Sequence, residues 1–424
     1  MSPEKTSHCP NPPVKTLSFT GSKSILQRLM TLMAMNPSEV VIENYNPCAD
    51  VLEMETALKV FGYWVEGTGG VRRFSFDPAL CAESKHHYQF TASATAFRFW
   101  TGMLAATPGL HSEIHASPIL IKRGIEPLVN ALQALGAELN VQGTTIRISG
   151  KQLTGGELSL ASSYSSHFVS SLLLCAPGFQ TPLILKLSPD QVSMPYIRLT
   201  AEMLMHFGAD ICYSEQEIIV QPGKLNIPPH FHVDADASTA AAFAVGAAIL
   251  RQPLCLQINP AEGLFQADYR IFSILSELGL GLQYGTHHVT IIPNDLSGGC
   301  FDLSDCPDLM PALAILGLFC EAPLTLYGIG RLKHKESDRY TGITKAFDLL
   351  GAMYEAELDS ICIHPLQQYL LQREACTLDT QQDHRLVMAF TWLKMAYPQI
   401  KMSETASVQK SCPEFFELLN TMLD

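Results

Sequence analysis

The chain has 424 residues, of which 47% are hydrophobic and 16% charged, and its formal net charge is -13. This length and apolar content predict a globular protein with two domains of about 200 residues, and exclude a largely disordered chain. The negative charge argues against nucleic acid and anionic membranes as partners, because their phosphate groups would repel such a surface. A small anionic substrate stays compatible with it, since local basic residues decide the charge of a pocket.

No apolar stretch follows the first five residues, and the longest apolar runs, such as 240–250, are too short to span a bilayer. We therefore expect no signal peptide, no membrane partner and a cytoplasmic location. The twelve cysteines form no CxxC pair and no spacing typical of zinc ligands. Free thiols in a reducing compartment are the expected state, without a bound metal.

Five glycines recur along the chain at intervals of 71–74 residues. Each closes an apolar helical pattern and precedes a strand-like run such as 137–141, as expected for a glycine at a helix C-terminus. A sixth helical pattern, 413–423, falls where the next unit would end. Six units of about 71 residues, in two sets of three, predict a bilobal α/β protein built from repeated modules. The glycines are Gly62, Gly136, Gly208, Gly279 and Gly351.

The first chemical motif is Gly21-Ser22-Lys23-Ser24, which precedes an apolar helical stretch with Arg28 one turn inside. A helix N-terminus with free N–H groups, a lysine and a hydroxyl is a good anion site. A P-loop would need a further glycine five residues before the Gly-Lys-Ser, so nucleotide binding is not indicated.

Two hydroxyl-rich segments follow in the middle of the chain. They are Ser165-Ser166-His167 and Ser193-Met194-Pro195-Tyr196. Hydroxyls and backbone amides at a helix start can hold a phosphate group without a metal. The same serines also fit simple helix caps and turns, and the residues alone leave both interpretations open.

Charged clusters fill the C-terminal half, and they combine arginine, lysine and histidine with carboxylates. Guanidinium groups grip carboxylate or phosphate bidentately, while Asp, Glu and His can transfer protons. Such an inventory suits a doubly anionic substrate on which protons must be moved, although charged clusters also occur on solvated faces. The clusters are Cys306-Pro307-Asp308, Lys335-Glu336-Ser337-Asp338-Arg339 and Asp383-His384-Arg385.

Together these motifs resemble the enolpyruvyl transferase family, and within it the EPSP synthases. The resemblance implies an α/β fold of two lobes, each built from three βαβαββ units in an arrangement like an inside-out α/β barrel. It places residues 22–234 in the N-terminal lobe, and residues 1–21 with 235–424 in the C-terminal lobe. The chain would cross between lobes near residues 20–21 and 233–236.

The resemblance also implies the reaction. An enolpyruvyl group would pass from phosphoenolpyruvate to the 5-hydroxyl of shikimate 3-phosphate, with release of phosphate, in the shikimate pathway of aromatic amino acid biosynthesis. No cofactor and no metal are implied, and a monomer is expected. These two substrates are the expected partners.

Site residues are carried over from the family one by one. Contacts to shikimate 3-phosphate are implied for Lys23, Ser24, Arg28, Ser165, Ser166, His167, Ser193, Tyr196, Asp308 and Lys335. Contacts to phosphoenolpyruvate are implied for Lys23, Arg339, Arg385 and Lys410. Catalytic roles are implied for Asp308, which would take the hydroxyl proton, and for Glu336, Lys23 and His384.

Several positions depart from the family pattern. The family's Asn-Ala-Gly-Thr-Ala-Met-Arg segment aligns with residues 92–98 here, where Ala92 and Ala94 replace the asparagine and the glycine. A family arginine for phosphoenolpyruvate aligns with Ile119, and Lys122 or Arg123 could reach in instead. His167 replaces a glutamine, so its charge would be expected to change with pH.

Two alternatives remain open on the sequence. The sister enzyme acting on UDP-N-acetylglucosamine typically carries a loop cysteine, and none lies between Cys81 and Cys175. A catalytically impaired member that only binds shikimate phosphate or a partner would explain Ala92, Ile119 and His167. The retained charges of 335–339 and 383–385 argue against it.

Overall fold

The protein is described by a computed structural model, which covers residues 14–81, 86–160, 165–187, 194–214, 216–261, 263–366 and 375–424. Within these residues it is a mixed α/β structure of helices and small sheets. No helix in the described part of the chain is long and apolar enough to cross a membrane.

The helices are α1 Lys23–Met35, α2 Ala49–Phe61, α3 Pro78–Cys81, α4 Ala94–Ala105, α5 Pro118–Lys122, α6 Glu126–Ala134, α7 Ser166–Cys175, α8 Met194–His206, α9 Ala237–Leu250, α10 Arg270–Glu277, α11 Met310–Gly317, α12 Arg339–Leu350, α13 His384–Ala396 and α14 Phe415–Leu423. The strands are β1 Lys15–Ser18, β2 Val40–Glu43, β3 Tyr63–Glu66, β4 Val71–Phe76, β5 His86–Phe90, β6 His111–Ala116, β7 Glu138–Gln142, β8 Thr145–Ser149, β9 Gly156–Leu160, β10 Leu183–Leu187, β11 Ile211–Tyr213, β12 Glu217–Val220, β13 His230–His232, β14 Leu254–Gln257, β15 Gly281–Tyr284, β16 Val289–Ile292, β17 Gly299–Asp302, β18 Leu324–Tyr327, β19 Tyr354–Ala356, β20 Ser360–Ile363, β21 Thr377–Leu378 and β22 Lys401–Met402.

The glycine repeat is a structural repeat. All five glycines follow a helix and have positive φ angles between 68° and 121°. A strand begins within three residues of each, because the left-handed turn ends the helix and redirects the chain. The predicted units are therefore confirmed. The sixth unit is shorter, because its sheet consists of β21 and β22 alone in the described part of the chain.

Each complete unit contributes a sheet of the same topology. Two parallel strands lie side by side, and an antiparallel hairpin continues the sheet, as in the order β5-β6-β8-β7. Four other sheets of the described residues repeat this plan: β13-β2-β4-β3, β9-β10-β12-β11, β1-β14-β16-β15 and β17-β18-β20-β19.

The centre of each half consists of helices. Helices α1, α4 and α7 pack against one another, and so do α9, α11 and α13. Nearly every residue of α1, α4 and α9 is buried on all sides, which is expected of a helix in the middle of a core. The sheets cover these helices from outside, and this arrangement confirms the predicted fold class.

Strand β1 lies in a sheet of the second half, whereas β13 completes a sheet of the first half. Strand β1 pairs with β14 of the second half, and β13 pairs with β2 of the first. The two chain segments that connect the halves touch, since Gly21 forms a bridge with Ala235. A Cβ on Gly21 would lie 2.3 Å from the carbonyl oxygen of Asn44, so only glycine fits this crossing.

The buried side chains form two separate hydrophobic cores. One runs from Ile25 to Val233, and the other joins Leu17 and Phe19 to residues 240–422. We propose that these cores correspond to the two lobes with the boundaries given above.

Candidate active site

A cavity of about 460 Å³ lies where the two cores meet. Its walls carry the first residues of the central helices α1, α4, α7, α9 and α13. The sixth central helix, α11, is represented by a residue of the short 3-10 turn that leads into it. The lining residues are Lys23, Ser24, Asp50, Ala94, Thr95, Arg98, Arg123, Ser165, Ser166, His167, Tyr196, Asp236, Ser238, Thr239, Asp308, Arg331, Lys335, Glu336, Arg339, His384, Arg385, Met388, Lys410 and Ser411.

Positive charge prevails in this cavity, although the chain as a whole is acidic. Among the described lining residues, lysine and arginine clearly outnumber aspartate and glutamate. Helix N-termini add partial positive charge and unpaired N–H groups. Converging helix starts and basic side chains make the cavity suited to a ligand with more than one anionic group.

On the first-core side, Lys23 opens α1 and points at Asp50. Its Nζ lies 2.9 Å from Asp50 Oδ2, and Lys410 Nζ lies 3.9 Å from Oδ1 of the same carboxylate. Burial alone would lower the pKa of Lys23, but the Asp50 charge raises it above its usual value. Lys23 therefore acts as a fixed cation at neutral pH.

Arg28 is buried behind Ser24 and is not among the residues that line the cavity. It donates to the carbonyl oxygens of Ser24 and Tyr196 at 2.8 and 3.0 Å, and to Thr200 Oγ1 at 2.8 Å. The ion pairs of the described residues give it no carboxylate, and burial lowers its pKa to about 10. Its charge is therefore available to an anion held in front of it.

The start of α7 brings Ser165, Ser166 and His167 to the cavity. Arg98 donates to Ser165 Oγ at 3.2 Å and to His167 Nδ1 at 3.2 Å. Because Nδ1 accepts this bond, the imidazole proton lies on Nε2, 3.3 Å from Thr95 Oγ1. Burial and the Arg98 charge hold the pKa of His167 well below its usual range. The side chain is therefore neutral near neutral pH. The expectation from the sequence, that its charge would change with pH, does not hold in this range.

On the second-core side, Asp308 lies in the 3-10 turn before α11 and meets residues of both cores. Tyr196 donates its hydroxyl to Asp308 Oδ2 at 3.0 Å, and Lys335 Nζ lies 3.3 Å from Oδ1. Burial would raise the pKa of Asp308, but Lys335, Arg339 and Arg385 together hold it well below its usual range. The carboxylate is ionised.

Arg339 joins three carboxylates at the start of α12. Its nitrogens lie 2.7 Å from Asp308, 2.8 Å from Glu336 and 2.8 Å from Asp383. Burial opposes the charge, but these partners raise the pKa of Arg339 above its usual value. The same cation, with Arg123, holds the pKa of Glu336 well below its usual range against the effect of burial.

The start of α13 supplies His384 and Arg385. Asp383 caps this helix by accepting from the Arg385 amide at 2.8 Å. Burial keeps the pKa of His384 well below its usual range, so the ring is neutral. Arg385 lies 3.6 Å from the buried Asp268, and its Nε has no hydrogen-bond partner among the described residues.

Helix α5 and the residue after it carry the three positions considered for the family's arginine: Ile119, Lys122 and Arg123. Ile119 is 56% exposed and lies outside the cavity, and so does the exposed Lys122. The helix ends at Lys122, and its C-cap residue Arg123 lines the cavity with Nη2 3.8 Å from Glu336 Oε1. Arg98 supports this turn by donating to the carbonyls of Arg123 and Gly124 at 2.7 and 3.0 Å.

Two other departures, Ala92 and Ala94, lie just before and at the start of α4. Ala94 opens α4, is buried and lines the cavity. Ala92 is exposed, and its carbonyl accepts from Lys410 Nζ at 3.2 Å. This contact joins the two cores but involves only the backbone of residue 92, so it does not replace the side chain of the family's asparagine.

Most residues singled out from the sequence meet at this cavity. Arg28 lies behind it, and Ser193 lies outside the described residues. The motifs did not single out Arg98, Asp236, Arg331 or Asp268; helix capping could have indicated Asp236, which accepts from the Thr239 amide at 2.8 Å. Asp268 carries no sequence signal, because it is brought to Arg385 from a distant part of the chain. The roles of all these residues stay predictions.

Residues 10–419 match the sequence model of one family, EPSP synthase (3-phosphoshikimate 1-carboxyvinyltransferase). The chain belongs to the EPSP synthase family. A 3-phosphoshikimate 1-carboxyvinyltransferase of Bacteroides fragilis is 30% identical over 95% of this chain and 93% of its own length. The chloroplastic one of Arabidopsis thaliana is 27% identical over 98% of this chain and 84% of its own length.

Solved structures share the fold. The EPSP synthase of Acinetobacter baumannii superposes with a TM-score of 0.77 at 22% identity, over 96% of each chain. The enolpyruvyl transferase NikO of Streptomyces tendae superposes with a TM-score of 0.73 at 14% identity, over 97% of this chain and 95% of that one. The predicted family and the predicted enzyme class, a transferase, are confirmed.

Proposed function

We propose that this chain transfers the enolpyruvyl group of phosphoenolpyruvate to the 5-hydroxyl of shikimate 3-phosphate and releases phosphate. One observation carries the proposal: helix N-termini and buried cations of one core face an ionised Asp308–Arg339–Glu336 network of the other across one cavity. Two anionic substrates can be held there beside groups that transfer protons. One chain forms this cavity, so we propose that the protein acts as a monomer. We also propose that it acts in the cytoplasm.

Shikimate 3-phosphate would lie along the first-core wall, which is the side of the cavity formed by Lys23, Ser24, Ser165–His167 and Tyr196. The second-core wall is the opposite side, which carries Asp308, Lys335, Glu336, Arg339 and Arg385. Ser165 and Ser166 at the start of α7 offer hydroxyls and free amides to its phosphate, and His167 offers Nε2–H. Arg28 would supply a charge from behind Ser24, and Tyr196 would approach from α8. Asp308 would then be within reach of the 5-hydroxyl, with Lys335 beside it.

Phosphoenolpyruvate would lie between Lys23, Arg123, Arg339, Arg385 and Lys410. These cations come from both cores, so they assemble only when the cores are in contact. Exclusion of water between the cores would strengthen each charge contact with the substrate.

Asp308 has a low pKa in the network, which makes it a weak base there. The cause is the positive charge of Lys335, Arg339 and Arg385. When anionic substrates neutralise these cations, the pKa of Asp308 is expected to rise. The carboxylate can then take the hydroxyl proton as the carbon–oxygen bond forms.

Glu336 is expected to change its proton affinity in the same way. Its low pKa arises chiefly from Arg339 and Arg123, against the effect of burial. If both arginines engage phosphoenolpyruvate, Glu336 can bind a proton and deliver it to the methylene carbon. Addition gives a tetrahedral intermediate that keeps the phosphate group. The Glu336 carboxylate then takes back a proton from the methyl group as the carbon–oxygen bond to phosphate breaks, which restores the double bond. His384 is neutral and lines the same cavity, and we keep a catalytic role for it as part of the proposal.

The test is phosphate release from phosphoenolpyruvate with and without shikimate 3-phosphate, over a wide range of phosphoenolpyruvate concentrations. Release that depends on shikimate 3-phosphate, together with a mass equal to the enolpyruvyl product, supports the transferase. Binding of shikimate 3-phosphate without any release would instead support the impaired, binding-only alternative that Ala92, Ile119 and His167 suggested.

A further inference from the structure

The outer face of the sheet β5-β6-β8-β7 carries a cluster that the proposed reaction does not use. In a strand, alternate side chains point to the same face. Strand β6 places half-buried Glu113 and exposed His115 on this face, and β5 places exposed His87 there, whose register partner is Glu113. None of the three lines the cavity.

The three side chains approach one another closely. Nε2 of His115 lies 2.9 Å from Oε1 of Glu113, and the rings of His87 and His115 stack at 6.4 Å with an angle of 11° between them. One ligand atom from each residue lies within 4.8 Å of the others. Small side-chain rotations bring such a set to the distances of about 2.0–2.2 Å that zinc requires.

Neighbouring residues hold two of the groups in the orientation that a metal needs. Arg147 Nε lies 3.0 Å from Oε2 of Glu113, which leaves Oε1 facing the histidines. Thr145 Oγ1 lies 3.2 Å from Nδ1 of His115. When Nδ1 donates its proton to that hydroxyl, the lone pair of Nε2 points at the cluster. Outer hydrogen bonds of this kind are typical of histidine and carboxylate ligands to metals.

We propose that His87, Glu113 and His115 form a surface site for a transition-metal dication such as Zn²⁺. Two imidazoles and one carboxylate are a donor set that Zn²⁺ accepts, with water completing the coordination. The net charge of -13 favours a cation on this surface. The metal would join β5 to β6 without touching the cavity, so it would stabilise the folded chain and take no part in the transfer.

The probe is Zn²⁺ alone, titrated calorimetrically into the full chain and into single variants. His115→Ala, His87→Ala and Glu113→Gln are expected to weaken binding of one Zn²⁺ by about 100-fold or more, since loss of an outer partner alone commonly costs 10- to 100-fold. His111→Ala is the matched control, because His111 lies exposed on the same strand and face but outside the cluster. It is expected to bind Zn²⁺ as the unchanged chain does.

Thiols are the main competitor, since exposed Cys212 and Cys300 can also take zinc. Co²⁺ distinguishes them: imidazole and carboxylate ligands give visible d–d bands without the near-ultraviolet bands of a cobalt–thiolate bond. Zn²⁺ affinity unchanged in His115→Ala, or Co²⁺ spectra dominated by thiolate bands, would overturn the proposal. Transferase activity of each variant shows whether it has folded, and it is expected to stay unchanged.

Discussion

Arg28 and Arg339 are both buried arginines beside one cavity, but they lie in opposite environments. Arg28 meets hydroxyls and carbonyl oxygens, and burial lowers its pKa to about 10. Arg339 meets three carboxylates, which raise its pKa against burial. The same contrast separates Arg98, whose pKa burial lowers to about 9, from Arg385, which pairs with Asp268.

The two groups of arginines divide the work of the site between binding and proton transfer. A buried cation without an acidic partner is costly, and an incoming anion relieves that cost. The first-core wall is therefore suited to hold a fixed phosphate. In the second-core wall the charges neutralise one another, and a substrate that draws the cations away changes the proton affinity of Asp308 and Glu336.

Substitution of Asp308 is expected to reduce turnover more than any other change considered. Asp308→Asn keeps the size of the side chain but cannot take a proton, so turnover is expected to fall by about 10²–10⁴-fold. The Michaelis constant for shikimate 3-phosphate should change little, because the first-core wall holds its phosphate. Steady-state phosphate release measures both, and retention of most of the rate would remove Asp308 from the mechanism.

Loss of the buried arginine of either wall is expected to lower the free energy of unfolding, by a different amount for each wall. Arg339→Met removes the shared cation from buried Asp308 and Asp383 and half-buried Glu336, and is expected to cost about 3–5 kcal/mol of unfolding free energy. Arg28→Met leaves only hydroxyls and carbonyls unpaired, so a smaller cost of about 1–3 kcal/mol is expected. Urea denaturation of both variants measures the difference. Equal losses would mean that the two arginines do not differ in the way described.

Arg123 lies at the boundary between the two walls, where it approaches Glu336 of the second core. Arg123→Ala is expected to raise the Michaelis constant for phosphoenolpyruvate by about 10- to 100-fold, the effect of one lost charge-assisted hydrogen bond of about 1.5–3 kcal/mol. Lys122→Ala is the control, since that neighbour lies outside the cavity. If Lys122→Ala gave the larger effect, the substitute for the missing arginine would be the lysine.

The smallest effect concerns pH. His167 is held neutral when folded but takes a proton when unfolded, below its ordinary pKa of 6.5. The unfolded chain then binds more protons, so stability falls as pH decreases from about 7 to 5, with a contribution approaching 1.4 kcal/mol per pH unit. His167→Gln should make this decline less steep, as measured by urea denaturation at each pH. His287→Gln, on an exposed histidine, is the control. An unchanged slope in His167→Gln would show that the ring is already charged in the folded chain.

Part of this architecture could be read from the sequence. The five glycines marked helix ends because only a residue tolerant of positive φ ends a helix this way, and the charged clusters marked helix starts. The position of Arg123 could not be read, because it depends on where α5 stops and on the bonds from Arg98 to that turn. The neutral state of His167 depends on burial and on Arg98, which no local pattern reveals.

Calorimetric binding of shikimate 3-phosphate to the unchanged chain, Arg28→Met and Asp308→Asn tests the division between the walls most directly. We expect Arg28→Met to lose about tenfold or more in affinity, because the buried charge behind Ser24 no longer attracts the phosphate, and Asp308→Asn to bind nearly as the unchanged chain does. Tight binding by Arg28→Met together with lost binding by Asp308→Asn would show that the first-core wall does not hold the phosphate.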